Sequence, residues 1–459
     1  MDKKNLVSIL DAVKATGVKT ASALKELLAE SDAKAVAPAG NLTARGRLEA
    51  LFDEGTFMEN GAYVRRGDKD DAFEGVICGW GAVSGRLVFA FCQDMSRSKG
   101  ALTEAHAKKI VEIYRLATEN GAPVIGIFDS AGALLPEGVK VLSGYGMVMN
   151  AVSKASGVIP QIAIIPGVCS GCSALIASMF DFIIISDKNG HISFNAPFAV
   201  DSDDVGTSEF AAKSGLAALT ASGDGDCIVK AKELLSYLPM NNVEGTVLEE
   251  TGDSADRAVD ISAYENGGDI KELIKTVADN GKFFELNEKY APEMAVGFVT
   301  LNGTVCGVAA NRHSENGGIL TACAARKASR MLSFCDAFDI PFITFVDSEG
   351  PDVSKDAEAS SDASELAKLS FAYNTAKCPL ITVICGEAYG TVFTVMGSKE
   401  CGADVVLALE NAKIGVMSAG RAVAFLWNDK ISKGLQAVLL KPLRKSCRST
   451  GKQPHDLHS

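Results

Sequence analysis

Asp129-Ser130-Ala131-Gly132 returns 218 residues later as Asp347-Ser348-Glu349-Gly350, and the whole stretch from Gly79 to Gly132 lies on Gly297 to Gly350 at that spacing without a gap. Gly85 meets Gly303, Gly100-Ala101-Leu102-Thr103 meets Gly318-Ile319-Leu320-Thr321, Ala107 meets Ala325, Lys109 meets Lys327 and Pro123 meets Pro341. At a spacing of 219 the correspondence continues, with Pro160 on Pro379, Gly167 on Gly386 and Gly171 on Gly390. Glycines, a proline and an aspartate falling together at one spacing point to a duplicated domain.

Within each copy the pattern is that of an α/β fold. Val83 to Cys92 is β-branched and aromatic around a glycine, which predicts paired strands, and Thr103 to Glu119 places Ala107, Ile110, Tyr114 and Ala117 on one helical face. Val124 to Phe128 is a short apolar run behind a proline, the mark of a buried strand. Strand Gln161 to Ile165, a glycine-rich turn at Gly167 to Gly171, a small-residue helix from about Cys172 to Met179 and strand Phe182 to Ser186 complete the copy. The expectation is two strands, a helix, two strands and a helix, built twice from ββα units.

Composition removes several function classes. Lys plus Arg is 45 against Asp plus Glu 57, a formal charge of −12 that repels phosphate backbones and anionic lipid, so no nucleic-acid partner is expected. Hydrophobic residues make up 47% of the 459, enough for large cores and too many for widespread disorder. Met1-Asp2-Lys3-Lys4-Asn5-Leu6 opens no signal peptide, and the longest apolar runs are strand-sized, so a soluble cytoplasmic chain with no direct membrane insertion is expected. Twelve cysteines are scattered through apolar segments, and the one CxxC, Cys169 to Cys172, has no second pair, so no metal site is expected.

Along the chain we expect an N-terminal helical arm and linker (1–42), with Leu6, Ile9, Leu10 and Val13 at helical spacing and a linker around Ala37-Pro38-Ala39-Gly40. The first domain (43–200), a polar connecting segment (201–290) and the second domain (291–429) follow. A basic tail (430–459) carries Lys433, Lys441, Arg444, Lys445, Arg448 and Lys452 against the single acid Asp456 and is expected to be disordered.

No GxSxG elbow, phosphate loop or paired nucleophile and base occurs. What recurs is a strand ending in a glycine turn that opens a helix, which aims backbone N–H groups and the helix dipole at an oxyanion. Such turns lie at Asp129 to Leu134 and Gly167 to Cys172, and again at Asp347 to Asp352 and Gly386 to Val392, giving two candidate oxyanion holes. A single glycine turn usually only turns the chain; matched duplication of all four favours a chemical role.

At these residues the chain resembles the carboxyltransferase subunit of biotin-dependent acyl-CoA carboxylases and decarboxylases, most of all the propionyl-CoA carboxylase beta and methylmalonyl-CoA carboxyltransferase group. Arg45-Gly46-Arg47-Leu48 with Leu51-Phe52-Asp53-Glu54-Gly55-Thr56-Phe57 is similar to the family's opening, and Gly75-Val76-Ile77-Cys78-Gly79-Trp80-Gly81 to its DGVVTGWG. Leu102 to Ile110, Ser156 to Gln161, Leu234 to Asn242, Phe334 to Pro341 and Val395 to Lys399 carry the likeness onward, from residue 43 to about 430.

The resemblance implies two crotonase-like (ClpP/crotonase) ββα-spiral domains in a hexamer, with acyl-CoA on the first domain of one subunit and carboxybiotin on the second domain of another. It implies a carboxyl group moved between carboxybiotin and an acyl-CoA, with the thioester enolate in one hole and the ureido oxyanion in the other. By position the first hole would draw on Gly132-Ala133 and Gly171-Cys172, and the second on Gly350-Pro351 and Thr391-Val392, with Gly390, Thr391 and Val392 against biotin. The family's GGAR is here Ala131-Gly132-Ala133-Leu134, its VDVPGF is Val346 to Pro351 and its YGGA is Tyr389-Gly390-Thr391-Val392; Pro351 has no N–H to give. No biotinyl-lysine motif or ATP-binding segment occurs, so a biotin carboxyl carrier protein and a biotin carboxylase, or membrane decarboxylase subunits, are expected as separate chains. Two alternatives stay open: a catalytically silent structural subunit, and a stand-alone crotonase-type hydratase or hydrolase using an acid such as Glu137.

Overall fold

The structure is a computed structural model that describes residues 21–427 apart from 36, 38–40, 66–72, 196, 255 and 266. The run from Leu6 to Val13, most of the linker and the basic tail lie outside the described residues. Two units emerge: the first holds residues 1–156, 161–207 and 221–232, the second 157–160, 208–220 and everything from 233.

The first unit is organised on a sheet in which Met58–Asn60, Val76–Val83 and Arg86–Gln93 run antiparallel, and Val124–Ile127, Gln161–Ile165 and Phe182–Ser186 join in parallel. The second unit repeats that order with Phe283–Leu286, Met294–Leu301, Thr304–Asn311, Phe342–Ser348, Leu380–Tyr389 and Val405–Ala408. The duplication extends to register. Gly79 faces Ala90 as Gly297 faces Val308, and Phe89 faces Val124 as Gly307 faces Phe342. Parallel strands buried on both faces explain the unbroken apolar runs, such as Ile162 to Ile165, all but inaccessible to solvent.

Helices Glu104–Asn120 and Ala322–Ala337 begin at equivalent threonines. Thr103 Oγ1 accepts the His106 N–H at 2.9 Å, and Thr321 Oγ1 accepts the Ala324 N–H at 3.1 Å. The matched lysines have the same task in both: Lys109 Nζ donates to the Val76 carbonyl at 2.6 Å and Lys327 Nζ to the Tyr290 carbonyl at 2.7 Å. Burial lowers the Lys327 pKa to about 8.

Two helices go beyond the expected units, Val139–Ala155 and Asp362–Thr375. The first buries Val141, Tyr145, Val148 and Val152, a period of 3.6 that the sequence carries openly. Gly144 lets it approach its neighbour, since a Cβ there would lie 3.1 Å from the Ala107 Cβ. Within 201–290, helix Ile270–Val277 buries Ile270, Leu273 and Ile274 against Val308, Ala310 and Phe345, and Phe283–Leu286 is an edge strand of the second sheet. Among the described residues no helix is long and apolar enough to cross a membrane.

Candidate active site

The glycine turns of the first unit meet on a second, small sheet. Val168–Ser170 runs parallel to His191–Ser193, and a bridge between Ser130 and Cys169 brings the end of strand Val124–Ile127 alongside. The turn after that strand is pinned from three sides. Ala131 N–H donates to the Lys99 carbonyl at 3.0 Å, Leu102 N–H to the Gly132 carbonyl at 2.8 Å and Leu134 N–H to the Leu102 carbonyl at 3.0 Å. Gly132 N–H donates to Ser130 Oγ at 3.1 Å. Of the five N–H groups from Ser130 to Leu134, only that of Ala133 has no acceptor among the described residues.

The next turn opens helix Cys172–Ala177. Gly171 holds φ +63°, ψ −131°, a conformation closed to residues with a side chain, and its N–H donates to the Ser193 carbonyl at 2.9 Å. The helix's own ladder starts with Leu175 N–H on the Gly171 carbonyl at 3.2 Å, so the N–H groups of Cys172, Ser173 and Ala174 precede it. A Cβ on Gly132 would come within 3.9 Å of the Ser170 carbonyl, which places the two turns side by side.

The second unit reproduces the arrangement. Leu320 N–H donates to the Gly350 carbonyl at 3.1 Å, Gly350 N–H to Ser348 Oγ at 3.2 Å, and Gly390, at φ +57° and ψ −126°, to the Gly415 carbonyl at 2.9 Å. Gly390 opens helix Thr391–Val395, with Thr391 exposed and Val392 buried. One position differs in kind: the counterpart of Ala133 is Pro351, bridged to Leu320 as Ala133 is to Leu102.

Both turns stand on an aspartate that the repeat exposed but whose partners sequence reasoning missed. Asp129 accepts the Val168 N–H at 3.2 Å, and Asp347 accepts the Glu387 N–H at 2.8 Å. Gly167 and Gly386 are the residues against which these carboxylates rest; a Cβ at either would collide with the carboxylate. Gly167→Ala is therefore expected to destabilise the protein by about 1–3 kcal/mol, from overpacking, read as a lower urea midpoint. An unchanged midpoint would show that the carboxylate has room to move.

The supports differ in charge. Asp129 meets Arg47 Nη1 at 2.7 Å, and Arg47 Nε reaches Asp224 at 2.9 Å, all three side chains buried. Burial works against the Arg47 charge, yet the two carboxylates hold its pKa above the ordinary guanidinium range; the adjoining Cys92 thiol, pushed up to about 12 by its own burial, is neutral and adds nothing. Burial also pushes the Asp129 carboxyl up, against the pull of Arg47. Asp347 is held instead by the Tyr264 hydroxyl, donating at 2.6 Å, with His313 Nδ1 at 3.5 Å. Cys169 is buried and its thiol pushed upward, so it offers Cys172 no thiolate partner.

Residues 35–449 match the carboxyl transferase domain family. The chain is 37% identical over 409 residues to the propionyl-CoA carboxylase beta chain of Roseobacter denitrificans, covering 84% of this chain and 80% of that one. It is 36% identical over 424 residues to the methylmalonyl-CoA decarboxylase subunit alpha of Veillonella parvula, covering 87% and 83%. Among solved structures it resembles transcarboxylase 12S, a hexamer with methylmalonyl-coenzyme A bound, with a TM-score of 0.84 and 30% identity over 96% of this chain and 88% of that one.

Proposed function

The chain belongs to the carboxyl transferase family, and from that premise we propose how its turns move a carboxyl group between carboxybiotin and an acyl-CoA. It is a biotin-dependent carboxyltransferase of the propionyl-CoA carboxylase and methylmalonyl-CoA transcarboxylase type. Biotin arrives as a substrate on a separate carrier chain. The thioester lies on the first unit, where the N–H groups of Ala133 and Cys172 receive its carbonyl oxygen. Charge grows on that oxygen as the α-proton leaves, so donors fixed beforehand stabilise the enolate more than the ground state.

On the second unit the N–carboxyl bond of carboxybiotin breaks, its electron pair stays with the ureido group, and carbon dioxide is released. The ureido nitrogen takes the α-proton, and the enolate adds to carbon dioxide to form the new C–C bond; decarboxylation is the same sequence reversed. No side-chain base is consumed, which suits turns built without one. The protein works as a homo-oligomer, in a hexamer like that of transcarboxylase 12S, with a biotin carboxyl carrier protein and either a biotin carboxylase or membrane decarboxylase subunits as partners.

The observation that carries this reading is the pair of adjacent turns that leave the Ala133 and Cys172 N–H groups without acceptors among the described residues. Purified protein with biotinylated carrier and a panel of malonyl-, methylmalonyl- and glutaconyl-CoA tests it: carboxyl transfer to the carrier is expected with at least one. A subunit that binds acyl-CoA without turnover is the second reading, favoured by Pro351. Tight binding with no transfer on any member of the panel would select it.

A further inference from the structure

We propose that Arg421 is the anion donor of the second unit, contacting the ureido oxygen of carboxybiotin as the carboxyl group leaves. The inference rests on the reading above and addresses the deficit that reading exposes. The first turn of this unit has no backbone donor to give, because the Gly350 N–H is bound to Ser348 Oγ and Pro351 carries none. Only the N–H groups opening helix Thr391–Val395 remain, one turn's worth where the first unit has two.

Arg421 stands at that gap. A Cβ on Gly350 would lie 3.3 Å from Arg421 Nη1, closer than the Tyr389 carbonyl at 3.9 Å. The chain delivers it there along the second sheet: Lys413–Gly415 pairs with Glu387 to Tyr389 at the end of strand Leu380–Tyr389, and helix Ala419–Leu426, which bears Arg421, follows directly. Strand, helix opening and guanidinium thus converge on one turn.

The side chain is uncommitted. Arg421 is half-buried and has no ion pair or hydrogen bond among the described residues. Of the acids that flank Gly350 and Pro351 in sequence, Glu349 lies against Gly317 and Asp352 accepts the Ser354 N–H at 2.9 Å, and neither pairs with Arg421 among the described residues. A half-desolvated guanidinium with five donors and no protein acceptor is built to meet an anionic oxygen from outside. On the ureido oxygen it receives charge when the C–N bond breaks and its electron pair is delocalised toward oxygen, the moment at which the missing N–H would have acted.

The test replaces one donor by the other. Arg421→Ala should lower kcat for transfer by about 30-fold, weaken free biotin binding several-fold by ligand-observed NMR, and leave the acyl-CoA dissociation constant unaltered. Adding Pro351→Ala, the residue the first unit carries at this place, restores a backbone N–H and should recover about tenfold of that loss. A merely structural arginine would not be repaired by an N–H at residue 351. Wild-type transfer by Arg421→Ala, or a loss that Pro351→Ala leaves untouched, overturns the role of Arg421 while the functional reading stands. A wild-type protein that transfers nothing fells that reading, and this inference with it.

Discussion

Ala133→Pro should lower kcat for carboxyl transfer by about 10²–10³-fold, the effect of removing one donor from an oxyanion hole, while acyl-CoA binding and assembly persist. A proline is normally a poor probe of a backbone donor because it also disturbs the chain. Here the protein itself supplies the control. Pro351 occupies the equivalent place in the second unit, with the same bridge to the preceding segment and the same bonds on either side: Leu320 N–H to the Gly350 carbonyl at 3.1 Å and Asp352 N–H to the Leu320 carbonyl at 3.4 Å. The turn therefore accepts proline, and Ala133→Pro deletes an N–H that has no acceptor among the described residues.

Because the thioester carbonyl becomes fully anionic only in the enolate, the loss falls on kcat rather than on the dissociation constant. Single-turnover transfer alongside calorimetric binding of the acyl-CoA separates the two. Transfer at the wild-type rate, from a protein with unchanged thermal midpoint and oligomeric state, would move the thioester donor away from Ala133.

What the sequence made legible follows from what repeats. The duplication and the four turns could be read because the spacing between Gly79 and Gly297 is held through helix and strand alike, and the register of Gly79 on Ala90 and Gly297 on Val308 is its physical expression. The purpose of individual residues inside the turns was less visible. Gly167 and Gly386 read as turn glycines; in the structure they make room for a carboxylate from a neighbouring strand, a contact 38 and 39 residues away that no local pattern encodes. Ser130 and Ser348 stand in the opening repeat, but that their hydroxyls occupy the glycine N–H depends on a φ of +108° at Gly132 and +129° at Gly350.

Arg47 belongs to the Arg45-Gly46-Arg47-Leu48 motif, yet its partners Asp129 and Asp224 come from distant segments. Helix Val139–Ala155 carries a clear period but begins among exposed apolar residues, Leu135, Val139 and Leu142, which blur its buried face. Arg421, alone among small residues from Ser418 to Val423, gains meaning only when the pairing of Lys413–Gly415 with the end of strand Leu380–Tyr389 brings it to Gly350.

Cys172 should separate donor from thiol in the same site. Cys172→Gly is expected to keep or raise activity, while Cys172→Pro should cost about 100-fold or more in rate. Position matters to both outcomes. Cys172 is the first residue of helix Cys172–Ala177, where proline's fixed φ suits the helix and its missing N–H costs the ladder nothing, since the first intrahelical bond comes from Leu175. Folding is therefore expected to survive Cys172→Pro, and circular dichroism with size-exclusion chromatography checks that it has. Glycine at the same place keeps the N–H and removes only the thiol side chain, at a helix-propensity cost of about 0.3 kcal/mol. The neighbouring Cys169 thiol is buried and pushed upward, which leaves Cys172 without a partner for disulfide exchange in this conformation. An inactive but correctly folded Cys172→Gly protein would show that sulfur itself takes part, and would transfer the first unit's chemistry from backbone to side chain.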